Sequence, residues 1–146
     1  MTANEILNRP VSSIMSSVIH RVSKDNVLRD AEHLFHRYKI KHLPVVSGDE
    51  VVGMLSLTDL QRMSFATIWG EEENSVDETI VESLTVGQVM KHRPKTIAFN
   101  ESIENAADIL SQAEFHALPV VDDGKLVGII TTTDIIKFLL KHFKEM

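Results

Sequence analysis

The chain has 146 residues, 43% of them hydrophobic and 25% charged, with a net charge of −6 and no cysteine. This is the composition of a globular protein of one domain or two small ones, long enough to bury a real core. It excludes disulfides and thiolate metal sites, and no apolar run approaches the roughly 20 residues a membrane span needs.

The acidic excess is local. Residues 64–84 hold Glu71, Glu72, Glu73, Asp77, Glu78 and Glu82 with no Lys or Arg, so the rest of the chain is balanced. No large basic face is forced, and nucleic-acid binding is not expected. The start, Met1-Thr2-Ala3-Asn4-Glu5, lacks the basic stretch and apolar core of a secretory signal, so a cytoplasmic location is expected.

In chain order, residues 1–10 form a short lead-in that ends at Pro10, and Val11 to Met15 suit one helical turn. Val18-Ile19-His20-Arg21-Val22 is rich in β-branched residues and predicts a strand. Asp25 is the expected N-cap of a helix whose apolar face is Val27, Leu28, Ala31, Leu34, Phe35 and Tyr38. Leu43-Pro44-Val45-Val46 predicts a strand with proline at its entrance. Ser47-Gly48-Asp49 is a turn and Val51 to Leu55 a return strand. Thr58 is the expected cap of the next helix, with Gln61 completing a capping box. Phe65, Ile68 and Trp69 would continue that helix and Gly70 would end it. The acidic run beyond predicts a solvated loop, with a docking tail for a basic partner as the alternative.

The pattern then repeats 75 positions later. Met15 maps to Met90, Ala31 to Ala106, and Leu43–Val46 to Leu118-Pro119-Val120-Val121. The helical face returns as Ile103, Ala106, Ile109, Leu110 and Ala113, and the turn as Asp123-Gly124, a stronger hairpin signal. Gly53-Met54-Leu55-Ser56-Leu57-Thr58-Asp59 becomes Gly128-Ile129-Ile130-Thr131-Thr132-Thr133-Asp134; both are G-h-h-[ST]-x-x-D, with h apolar. The register needs no gap from Val11 to Met63, so the chain is an internal duplication. By sequence it divides into residues 1–66, a first repeat with lead-in; 67–84, an acidic linker; and 85–146, a second repeat. The expected fold class is α/β of the α+β type. Two β-α-β-β-α repeats would be related by pseudo-twofold symmetry, with their sheets packed together.

Two h-P-V-V strands and two G-h-h-[ST]-x-x-D stretches, at one fixed offset, make this chain resemble the cystathionine-β-synthase (CBS) domain pair. The resemblance covers roughly residues 10 to 142. It implies a regulatory module that binds AMP, ADP, ATP or a related adenosyl ligand between the repeats, often as a dimer. The residues suit that chemistry. A carboxylate such as Asp59 or Asp134 can accept hydrogen bonds from both ribose hydroxyls, and charge-assisted bonds are the stronger kind. Ser56 and Thr131 can donate to a phosphate oxygen, and the following helix start favours anions. The resemblance further implies that Ile40, Lys41 and His42 face Asp134, and that Phe115, His116 and Ala117 face Asp59. Adenine would lie against Ile40 or Phe115 and bond to adjacent peptide groups. The first strands would add Ile19 or His20, and Lys95 or Thr96. Cations available for phosphate are Arg21, Lys39 and Lys41, then Lys91, His92, Arg93 and Lys95. The Asp134 cleft should be the better one. It has three hydroxyls, Thr131-Thr132-Thr133, and a wall with Lys39, where the other cleft has Glu114.

Other chemistries find less support. His33 and His36 are three apart on a helix but fall on its polar side, with no acid completing a tetrahedral metal set. No nucleophile-base-acid set, P-loop or dinucleotide glycine pattern occurs, so an enzyme is not expected. Homodimerisation is, because Met63, Phe65, Ile135, Ile136, Phe138 and Leu139 give the helices after Asp59 and Asp134 an apolar excess. The alternative functions are an interaction scaffold with empty clefts, or a binder of an S-adenosylmethionine-type ligand.

Overall fold

The computed structural model describes residues 2–67 and 82–144. In chain order the elements are α1 (Ala3–Leu7), a 3-10 turn (Val11–Ser13), β1 (Val22–Ser23), α2 (Leu28–Tyr38), β2 (His42–Ser47), β3 (Glu50–Ser56) and α3 (Leu57–Thr67). There follow α4 (Val86–Val89), β4 (Lys91–His92), β5 (Ile97–Ala98), α5 (Ile103–Gln112), β6 (Ala117–Asp122), β7 (Lys125–Thr131) and α6 (Thr132–Phe143). The expected β-α-β-β-α order is present in both repeats. The expectations for Ile68, Trp69, Gly70 and the acidic run from Glu71 to Glu78 lie outside the described residues.

The chain forms two compact units: Met1–Ile19 with Lys95–Met146, and His20–Pro94. Packing therefore divides the chain differently from sequence. The lead-in of each repeat belongs to the unit built on the other repeat's hairpin. The hydrogen bonds repeat accordingly. Val86 N–H donates to Asn26 O and Gly87 N–H to Lys24 O, both at 2.8 Å, as Val11 donates to Glu101 O and Ser12 to Phe99 O in the other unit.

In the His20–Pro94 unit, β1 runs parallel to β2, β2 pairs antiparallel with β3, and β3 with β4. The other unit matches it, with β5 parallel to β6 and β6 antiparallel to β7. Each proline of h-P-V-V stands one residue before the parallel pairing begins, at Val45 and Val120, so its missing N–H breaks no ladder there. A register shift falls after Val45 and again after Val120, beside Gly53 and Gly128. These glycines are needed for close approach. A Cβ on Gly53 would meet the Met90 thioether, and one on Gly128 that of Met15.

Burial follows the periodicity. Leu28, Ala31 and Phe35 of α2 pack with Leu43, Val45 and Leu55 in one core; Ala106 and Leu110 of α5 pack with Leu118, Val120 and Ile130 in the other. Several local expectations need correction. Only Val22–Ser23 is strand, and Val18 to Arg21 is not. The N-cap of α2 is Val27, not Asp25, and no side chain caps it; Asn26 instead accepts from Ser23 N–H at 2.8 Å. Its equivalent, Ser102, does cap α5, through Asn105 N–H. The lead-in contains a helix, α1, closed by a Thr2–Glu5 capping box. Of the residues assigned to an apolar excess, Ile135, Phe138 and Leu139 belong to the internal cores, whereas Ile136 is exposed.

Candidate functional site

Each G-h-h-[ST]-x-x-D stretch ends a central hairpin strand and starts a helix. The hydroxyl that caps the helix is the first of the motif, not the second. Thr131 Oγ1 accepts from Asp134 N–H at 3.1 Å, and Asp134 Oδ2 accepts from Thr131 N–H at 2.9 Å. This reciprocal box puts the cap at Thr131, two residues before Thr133, the position that matches Thr58. In the first repeat Ser56 Oγ accepts from Asp59 N–H at 3.0 Å, so neither Thr58 nor Gln61 has the role expected of it.

The box constrains what each acid can still do. Asp134 offers its second oxygen, and the Thr131 hydroxyl keeps its proton to donate. Asp134 also lines a concavity of about 420 Å3 with Ser13, Lys137, Lys141 and His142, so cations stand on the same helix as the acid. Asp59 is placed differently. Its side chain is 19% exposed and lies 3.7 Å from Lys91 Nζ and 3.9 Å from Arg62. No cation in the chain's first repeat corresponds to Lys141 and His142, since the positions 75 earlier are Ala66 and Thr67.

The segments before the h-P-V-V strands lie beside their own repeat's hydroxyl corner. His42 is opposite Ser56 and Ala117 opposite Thr131. Lys41 O accepts from Leu57 N–H and His116 O from Thr132 N–H, both at 2.9 Å. Those two carbonyls hold the helix starts, one residue beyond Ile40 and Phe115, whose adjacent peptide groups are expected to meet adenine. Ile40 packs against the first core, whereas Phe115 is 37% exposed. Lys95 is exposed and Thr96 half-buried, just ahead of β5; Ile19 is half-buried at the end of its segment. Facing Asp134 with residues 40–42, and Asp59 with 115–117, joins residues of different units and stays an implication of the resemblance.

His20 stacks on Tyr38 with ring centroids 3.8 Å apart, and the Arg37 guanidinium lies 5.5 Å from the Tyr38 ring. The helical period assigned Tyr38 to the core face, but at the last turn the residue is 42% exposed. Among the cations named for phosphate, Arg21 pairs with Asp49 at 3.2 Å. Lys39 ends α2 in the left-handed region, with φ 53°. His33 and His36 are exposed, and among the described residues no group of three or more His, Asp or Glu could hold a metal. Among them, too, no helix is long and apolar enough to cross a membrane.

The family model for the CBS domain matches residues 11–65 and 86–141. An Arabidopsis thaliana protein, the chloroplastic CBS domain-containing protein CBSX1, is 33% identical over 84% of this chain and 60% of its own length. The protein MJ1232 of Methanocaldococcus jannaschii is 31% identical over 97% of this chain and 43% of its own. The chain thus spans about half the length of these relatives. Among solved structures, Arabidopsis CBSX2 in complex with AMP superposes with a TM-score of 0.74 at 29% identity, covering 91% of this chain and 97% of that one.

Proposed function

Because the chain belongs to the CBS domain family, with two CBS repeats, we propose that it is a regulatory module that binds an adenine nucleotide. The ligand is AMP, ADP or ATP, and its occupancy would control a partner protein by biasing conformation. The observation that carries this reading is the Thr131–Asp134 corner, opening beside Lys137 and Lys141. An acid for a ribose diol next to cations for phosphate is what an adenosyl phosphate needs. The AMP complex of CBSX2, a relative over nearly the whole chain, supports the same ligand class. In this reading Asp134 takes the ribose, Thr131 donates to phosphate, and Asp59 with Ser56 forms the weaker second site.

The reading includes a homodimer. Ile136 and Leu140 stand four apart on α6 and are 52% and 62% exposed. Residues at that spacing share one face of a helix, so they offer a small apolar patch.

An empty scaffold has one observation in its favour: both motif acids already have partners within the chain, Asp134 in its capping box and Asp59 between Lys91 and Arg62. Thermal unfolding with AMP, ADP, ATP and S-adenosylmethionine separates the readings. A ligand that binds only the folded chain raises the midpoint as its concentration rises. A midpoint unmoved by all four at millimolar concentration favours the scaffold.

A further inference from the structure

The His20–Pro94 unit contains a second concavity, of about 600 Å3, that the motif residues do not touch. Its lining includes the apolar Val51, Val52 and Met90, the cations Lys24 and Arg93, and the imidazole of His92. One acid, Asp25, joins them, 3.2 Å from Lys24 Nζ and largely in solvent. We infer that this concavity is a binding site for a small organic phosphate. Its apolar body would cover Val51, Val52 and Met90, and its anionic group would meet Lys24 and Arg93.

The backbone holds these cations in place. Lys24 N–H donates to Val46 O at 3.1 Å, and Lys24 O accepts from Gly87 N–H at 2.8 Å. Gly87 allows this closeness, since a Cβ there would come within 2.9 Å of Lys24 O. Arg93 is fixed in the left-handed region, φ 49°, and its N–H donates to Val52 O at 3.3 Å.

The duplication supplies an internal comparison. Shifted by 75 positions, Lys24 becomes Phe99, His92 becomes Ser17 and Arg93 becomes Val18. The other unit makes the corresponding backbone bond, Ser12 N–H to Phe99 O at 3.1 Å, without any of these three basic side chains. The framework does not require the charges, yet three separate positions converge on one cavity. The volume is within the usual range for small-molecule sites. Arginine and lysine with an imidazole suit a doubly charged phosphate better than a single carboxylate.

The site is separate from the Asp59 corner. Lys91 reaches Asp59, and His92 is the next residue on β4, so the two side chains leave the strand on opposite faces. The sequence groups Lys91 and His92 among the residues available for phosphate; the strand divides them.

A titration of the full chain with phenyl phosphate, followed by amide 1H–15N NMR, tests the inference. Saturable shifts are expected at the amides of Val52, Gly87, His92 and Arg93, and weaker binding of inorganic phosphate, which lacks the apolar body. Arg93→Gly suits the left-handed backbone and removes a cation, so it should fold and bind about fivefold more weakly; Lys24→Gln should do the same. Asp59→Ala and Asp134→Ala should leave these shifts unchanged, which separates this site from the proposed nucleotide site. The inference is overturned if those amides show no saturable shift at millimolar phenyl phosphate. It is also overturned if the Arg93→Gly and Lys24→Gln double variant binds as tightly as the unaltered chain.

Discussion

At the residue scale, Asp134 has a structural task and a proposed binding task. Its carboxylate accepts Thr131 N–H in the capping box, so Asp134→Ala should cost about 1 kcal/mol of stability. Asp134→Asn keeps an acceptor oxygen for that N–H and should cost less, while still losing the charge. Urea unfolding of both variants checks this; equal stability of Asp134→Ala and the unaltered chain would remove the box as a stabilising feature. The motif itself was legible in the sequence, because acid and hydroxyl spacing repeats at a fixed offset. Which hydroxyl caps was not. Thr131 and Thr133 are both good caps by residue type, and only the end of β7 decides between them. Likewise, nothing local indicates that Lys91 would reach Asp59, since the two are 32 positions apart.

At the element scale, the duplication allows each helix to be judged against its copy. Ser102 caps α5, whereas the matching Val27 leaves the start of α2 without a side-chain cap and is 42% exposed. Val27→Ser should therefore stabilise the chain by about 1 kcal/mol, seen as a higher unfolding midpoint. No gain would mean that burial of the valine methyl groups outweighs the cap. Gly87→Ala should act the other way. Its Cβ would press on the backbone carbonyl of Lys24, which cannot swing aside as a side chain can, so a loss of about 1–3 kcal/mol is expected. Unaltered stability would show that α4 can shift away from Lys24. Helices, hairpins and core faces were legible because apolar spacing follows the 3.6 and 2 periods. Val18 to Arg21 was misread for the same reason. Its β-branched residues fit a strand, but parallel pairing with β2 begins only at Val22.

At the scale of the whole molecule, the two repeats are legible from the 75-residue offset, but which segments pack together is not. Lead-ins of a few residues carry too little pattern to reveal that Val11 belongs with Ile130 and Val86 with Leu55. The dimer also belongs to this scale. Ile136→Glu with Leu140→Glu should convert a dimer to a monomer in light scattering, and monomer mass for the unaltered chain would refute the assembly. Nucleotide binding is the central claim, and calorimetric titration of AMP and ATP into the unaltered chain and Asp134→Ala tests it most directly. Losing the carboxylate removes hydrogen bonds to a charged group, each worth roughly 1.5–3 kcal/mol, so affinity should fall more than tenfold. Asp59→Ala should weaken only the second site. Equal binding by Asp134→Ala and the unaltered chain would contradict the ribose role, and no binding of either nucleotide by the unaltered chain at millimolar concentration would contradict the claim itself.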